Sequence, residues 1–184
     1  MIEVIDMKKE KSFQDYFPGN GCAGCGPANK TAHGHRIKTR WGSKPALETI
    51  CEWKPALHPA CRAGRPGTLH GGCAISLMDC NSIWTAIAAR YEFEGRPFGS
   101  KPIIYYVTAG LKEPCKFIRP LPLDADHLTI LSKVMEMHEK SGTCVLYSEI
   151  VVKGIKYAET GVIAVRVKPD KKENWGWIHP TQKK

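Results

Sequence analysis

The sequence predicts an α+β domain in which one antiparallel sheet curls around one long helix, and two observations carry that expectation. Residues 73–91 form a helical pattern that is apolar nearly all round: Ile75, Met78, Ile83, Ala86 and Ile87 make one stripe, and Leu77, Trp84, Ala88 and Tyr91 a second. A helix of that kind must be buried. After it come only strand patterns separated by short turn signals, so hairpin connections suffice and no parallel crossover is implied.

Each element has its own signal. Residues 1–19 are expected to be a loose N-terminal lead-in, and residues 18–35, with five glycines, two prolines and the pair Cys22 and Cys25, a structured loop. A strand is expected over 35–41 and another over 46–53, where Leu47, Cys51 and Trp53 fall on one face and Glu48 and Glu52 on the other. A loop rich in Pro, Gly and Arg leads from residue 54 to the helix. Beyond the Gly and Pro breakers at 95–102, strands are expected over 103–112, 127–137, 143–153 and 155–168, in a meander, with turns at 120–126, Ser141-Gly142 and Lys153-Gly154. Residues 20–168 thus form one domain, and 169–184 a basic C-terminal tail.

The composition excludes several classes. With 184 residues, 42% hydrophobic and 24% charged, the chain is neither disordered nor fibrous and is large enough to build one core without disulfides. Its eight cysteines, with no apolar leader at the N-terminus, suggest reduced thiols and a cytoplasmic setting. The best apolar run is interrupted by Asp79 and Asn81, so no membrane span is expected. Lysine and arginine total 27 against 18 acidic residues, a net charge of +9 that favours anionic partners without choosing among them.

Between Cys73 and Ala89 the one formally charged side chain is Asp79. A carboxylate on an apolar helix is costly to desolvate, so it is either hydrogen-bonded to a neighbouring loop or kept for a reaction. Just before the helix stands Thr68-Leu69-His70-Gly71-Gly72, where two glycines at a helix start allow a ligand to approach bare backbone N–H groups that can hold an oxyanion. The plainer alternative is a tight turn with His70 as a cap. Gly71 and Asp79 are eight residues apart, about 12 Å along a helix. Reacting atoms must come within about 3–3.5 Å, so if both act in one reaction, Asp79 comes from a second copy of the chain.

The run His70-Gly71-Gly72 with Asp79 nine residues after the histidine, on a long apolar helix ahead of strands, resembles the hotdog-fold acyl-CoA thioesterases of the phenylacetate-degradation (PaaI-like) type. The upstream Asn20-Gly21-Cys22-Ala23-Gly24-Cys25-Gly26 and the strand segment Leu111-Lys112-Glu113-Pro114 are similar to pieces of those chains. The resemblance implies a hotdog fold and hydrolysis of an acyl-CoA thioester at the interface of a homodimer or of a dimer of dimers. The Gly71 N–H would polarise the carbonyl, His70 would shape the turn, Gly72 would line it, and Asp79 of the facing subunit would be general base or nucleophile. Coenzyme A, as part of the substrate, would meet the turn Glu139-Lys140-Ser141-Gly142-Thr143, with Lys140 on a phosphate; no separate cofactor is implied. Two positions depart from the family pattern. Gly64 stands where related enzymes often carry Asn or Gln, and Ile104 where many have a small hydroxyl residue; Thr108 and Tyr105 are the candidates to substitute for the latter.

Other chemistries compete. Cys73, near the helix start, is in the setting of an activated thiol, although a small buried hydrophobe is the preferred reading, as it is for Cys51, Cys80, Cys115 and Cys144. Cys22, Cys25, His33 and His35 offer a zinc set, but the histidines are too closely spaced for a zinc finger, and no metal is expected. A nucleic-acid module would use Trp41, Trp53, Trp175 and Trp177 for stacking, yet basic and aromatic residues are not interleaved on one strand, so neither nucleic acid nor membrane is expected as a partner. A hotdog protein that binds acyl-CoA without cleaving it is the remaining alternative.

Overall fold

The computed structural model describes residues 11–31 and 34–168. The sequence readings on residues 1–10, on His33 and on the tail 169–184 lie outside the described residues. In chain order the elements are β1 (Arg40–Trp41), β2 (Glu48–Trp53), α1 (Gly71–Phe93), β3 (Tyr105–Phe117), β4 (Leu128–Met137), β5 (Thr143–Val152) and β6 (Ile155–Val167). One six-stranded antiparallel sheet runs in the order β1-β2-β4-β5-β6-β3 and wraps α1, as the sequence predicts.

The meander is shorter than expected. Strands β4, β5 and β6 form it, but β3 pairs with β6 and not with β4. The reason is that β2 occupies the other side of β4, which leaves the β6 side as the open edge. The β3–β4 connection then runs past the loop that leads into α1, where the Leu69 N–H donates to the Leu121 carbonyl at 2.9 Å. Strand β3 also extends to Phe117, through Pro114. An edge strand tolerates a proline, and the register shifts between Thr108 and Lys116 absorb it. Between β5 and β6, Lys153 (φ 49°) and Gly154 (φ 78°) supply the two positive φ angles of a tight hairpin.

The strand expected over 35–41 shrinks to Arg40–Trp41. Residues 35–37 bond to the cysteine loop instead of the sheet, since the N–H groups of His35 and Ile37 donate to the carbonyls of Ala23 and Gly24, and Arg36 has φ 47°. In β2 the inward residues are Thr49, Cys51 and Trp53; Leu47 lies outside the strand and is exposed. The lead-in is packed where it is described: Phe13 and Phe17 are buried, Phe13 against Trp41 and Phe98, and Phe17 against Trp84.

The helix begins two residues earlier than its apolar pattern, because His70 caps it, its Nδ1 accepting from the Gly72 N–H at 3.1 Å. From Leu77 to Tyr91 nearly all of its side chains are withdrawn from water. That face contains polar residues the periodicity did not weigh. Asn81 accepts from Thr39 at 2.9 Å and donates to Ser132 at 2.8 Å, and Ser132 continues to Ser148 at 2.9 Å. Thr85 meets Thr49 at 2.6 Å, and Gln14 bonds Thr39 through both its amide and its carbonyl at 2.8 Å. The network fixes the helix in register against β2, β4, β5 and the N-terminal segment. No helix among the described residues is long and apolar enough to cross a membrane.

The far end of α1 is clamped by charge. Glu94 receives Arg90 and Arg96 at 2.8 Å and Arg166 of β6 at 2.5 Å. Burial pushes its carboxyl up, but the donors of Arg96, Arg90 and Arg166 outweigh this and hold its pKa at about 2, below the ordinary 4.5. A carboxylate with a depressed folded-state pKa stabilises the fold above its unfolded value and loses that contribution as pH falls. Glu94→Gln is therefore expected to lower stability by about 1–2 kcal/mol at neutral pH. The difference from the parent should shrink as pH falls from about 4.5 towards 2, as read by urea unfolding across that range.

Candidate active site

Asp79 lies on a stripe of α1 that the other described residues leave partly exposed. Gly72 is exposed, and Ile75, Ser76, Asp79 and Ile83 are half-buried at helical spacing. The hydroxyl of Thr108 on β3 donates to Asp79 Oδ1 in a short hydrogen bond. Burial pushes the Asp79 carboxyl above the ordinary carboxylate range; the Thr108 bond opposes that shift and the charge at Cys22 adds to it. Of the two candidates for the missing hydroxyl, Thr108 is the one in contact with Asp79. Ile104 is wholly buried and Tyr105 is buried at the start of β3.

The first turn of α1 carries the other half of the predicted site. His70 is exposed and takes the Gly72 N–H, so the glycine N–H left without an acceptor among the described residues is that of Gly71. It stands where the helix dipole favours negative charge. The ring of Phe117, at the end of β3, lies over this glycine: a Cβ on Gly71 would sit 3.2 Å from its Cζ. That contact has no signal in the sequence, because Gly71 and Phe117 are 46 positions apart. Gly64 is exposed, and a Cβ there would meet nothing within 4 Å.

The turn with Lys140, Ser141, Gly142 and Thr143 joins β4 to β5 on the surface, and Gly142 takes the required φ of 69°. It packs against Arg166, the residue that clamps Glu94. It therefore sits towards the C-terminal end of α1, whereas Gly71 opens the N-terminal end. Within one chain the structure joins Asp79 to Thr108 and leaves the Gly71 turn and the Lys140 turn apart.

The cysteines fall into two groups. The sulfurs of Cys22, Cys25 and Cys80 lie within 4.8 Å of one another, and the ligand atoms of His35, Cys61 and Cys73 are grouped within the same limit. Cys80 follows Asp79 directly. Sequence reasoning missed its link to Cys22 and Cys25, since nothing local marks a partner 55 residues away. Trp53 is buried, stacked on His58 with ring centroids 4.6 Å apart, and Trp41 packs on Phe13, so both rings serve the core.

Compared by sequence, the chain matches no family profile and no curated protein. Solved structures do share its fold. A thioesterase from Haemophilus influenzae superposes with a TM-score of 0.58 at 10% identity, over 77% of this chain and 86% of that one. A thioesterase superfamily protein gives 0.58 at 19% identity, over 84% and 68%. The E. coli PaaI protein from the phenylacetic acid degradation operon gives 0.54 at 18% identity, over 74% and 83%. The predicted hotdog architecture, one antiparallel sheet around one long helix, is thus the fold these thioesterases have.

The loop beside Asp79 depends on a glycine. A Cβ on Gly26 would lie 2.4 Å from both the Asn20 carbonyl oxygen and the Cys22 nitrogen, which are backbone atoms that cannot swing aside. Gly26→Ala is expected to cost at least about 2 kcal/mol, whereas Gly64→Ala should stay within about 0.5 kcal/mol of the parent. Denaturant unfolding of the two variants checks both values.

Proposed function

We propose that this protein is an acyl-CoA thioesterase that works as a homodimer, with each site built from two chains. The observation that carries the reading is Asp79, a half-buried carboxylate on a nearly apolar helix, held by Thr108 on the partly exposed stripe of α1. The solved thioesterases that share the fold support thioester hydrolysis as the reaction class.

The chemistry follows from the two groups. The Gly71 N–H, at the positive end of α1, receives the thioester oxygen and stabilises the charge that develops there. Asp79 of the facing chain takes a proton from water as the water oxygen attacks the carbonyl carbon. When the tetrahedral adduct collapses, the carbon–sulfur bond breaks and Asp79 returns the proton to the departing thiolate. The two groups are about 12 Å apart along one helix, which is why the partner must supply the carboxylate. The dimer has a ready surface. Strand β3 is the sheet edge, Leu111 and Phe117 on it are exposed, and Ile75 and Ile83 lie half-buried on the adjoining stripe. The exposed turn at Lys140 is assigned to the coenzyme A phosphates.

A second reading, binding of acyl-CoA without cleavage, draws on one position: Gly64 offers no side chain where related enzymes often place an amide. Thiol release from a panel of short, long and aromatic acyl-CoAs separates the two. Hydrolysis is expected, and Asp79→Ala should lower kcat/KM by about 10²–10⁴-fold with coenzyme A binding nearly intact, while Cys73→Ala keeps most activity. Full activity in Asp79→Ala would refute the assignment. Lys140→Ala should weaken binding of an acyl-CoA more than that of the same acyl group on a short thiol.

The shared site has its own test. Gly71→Pro removes the donor N–H at a position where a helix accepts proline, and the tip of Phe117, half in solvent, can swing from the ring. Mixing inactive Gly71→Pro chains with inactive Asp79→Ala chains should restore activity after subunit exchange. Verified hybrids that stay inactive would rule the shared site out.

A further inference from the structure

Residues 20–26 are wound around a cysteine sulfur. The Cys22 N–H donates to Asn20 Oδ1 at 2.9 Å, the Gly26 N–H donates to the Cys22 carbonyl at 2.8 Å, and the backbone N–H groups of Gly24 and Cys25 face the Cys22 sulfur. The Asn20 amide donates to the Cys25 sulfur at 3.8 Å. N–H groups directed at sulfur stabilise thiolates, the form in which cysteine ligates metal.

The loop also closes onto α1 at one residue. A Cβ on Gly24 would sit 2.3 Å from Cys80 Sγ, so only glycine brings the loop this close to the helix. The approach leaves Cys22 Sγ and Cys80 Sγ 3.9 Å apart, with Cys25 Sγ in the same group. Two sulfurs about 2.3 Å from one tetrahedral ion are about 3.8 Å from each other. The spacing of Cys22 and Cys80 is that of two ligands on one metal and nearly twice that of a disulfide.

We propose that Cys22, Cys25 and Cys80 form a binding site for a thiophilic divalent cation, Zn²⁺ by preference. The protein supplies three ligands, and the fourth position opens on the side of Cys22, the exposed member of the set. The objection from histidine spacing does not apply to this set. His35 is turned away, with its Nδ1 3.5 Å from Cys61 Sγ and Cys73 nearby, so among the described residues the group that gathers at Cys22 and Cys25 is completed by Cys80. The ion would pin the loop to α1 one residue from Asp79. The inference rests on the sulfur geometry and stands apart from the assignment of thioester hydrolysis.

The test is metal content and cobalt spectroscopy on the full chain, purified reduced and without chelator. About one Zn²⁺ per chain is expected by mass spectrometry, and replacement by Co²⁺ should give an intense near-ultraviolet thiolate-to-metal charge-transfer band. Cys22→Ser and Cys80→Ser should each weaken Co²⁺ binding at least about tenfold and reduce the band, while Cys73→Ser changes neither. Because Cys22 is at the surface, its variant keeps the fold, checked by circular dichroism, even if the buried Cys80 variant does not. The proposal is overturned if the reduced, folded chain takes up neither ion, if Cys22→Ser binds Co²⁺ as the parent does, or if the band is lost with Cys73→Ser instead.

Discussion

Burial of a single helix on nearly every side is the constraint from which the rest of this structure follows. A sheet can cover one side of α1, and the curl of β2, β4, β5, β6 and β3 extends that cover around it. The opposite side is closed by residues 12–31 and 34–41, with Phe13, Phe17 and Ile37 in the common core. This is why a segment with little regular secondary structure is held so firmly. Its backbone is bonded to its own loops, and Phe17 and Gln14 turn inward to Trp84 and Thr39.

Burial at this scale normally excludes polar groups, and here it includes Asn81, Ser82, Thr85, Ser132 and Ser148. The cost of desolvating them is offset because each has a partner at hydrogen-bond distance. Apolar contacts alone would let a smooth helix slide or rotate under the sheet, whereas Asn81 can meet Thr39 and Ser132 together in one register only. That register is what turns Gly72, Ile75, Ser76, Asp79 and Ile83 outward as one stripe. Asp79 owes its position to a network that faces the other way.

The same register delivers Cys80 to the loop of Cys22 and Cys25, since residues 79 and 80 point about 100° apart around the helix axis. Gly24 and Gly26 complete the approach, one by admitting Cys80 and the other by letting the chain fold back on Asn20 and Cys22. A carboxylate and a sulfur cluster thus share one short stretch of α1, with Thr108 reaching Asp79 from β3.

The sequence by itself determined the classes of element and their antiparallel pairing, because periodicity and turn chemistry are local: the helix stripes, the Lys153-Gly154 hairpin and the alternation in β2 can be read within a few residues. It also marked Asp79, since one charge on an apolar helix is conspicuous without any partner, and it offered Thr108 only as one of two hydroxyls. What it left open is contact between distant segments. The pairing of β3 with β6, the fate of 35–37 at the cysteine loop, the Phe117 ring over Gly71 and the meeting of Cys80 with Cys22 each join residues between a dozen and several dozen positions apart. No pattern along the chain records such meetings. They were decided by how the sheet and the N-terminal segment share the surface of one buried helix.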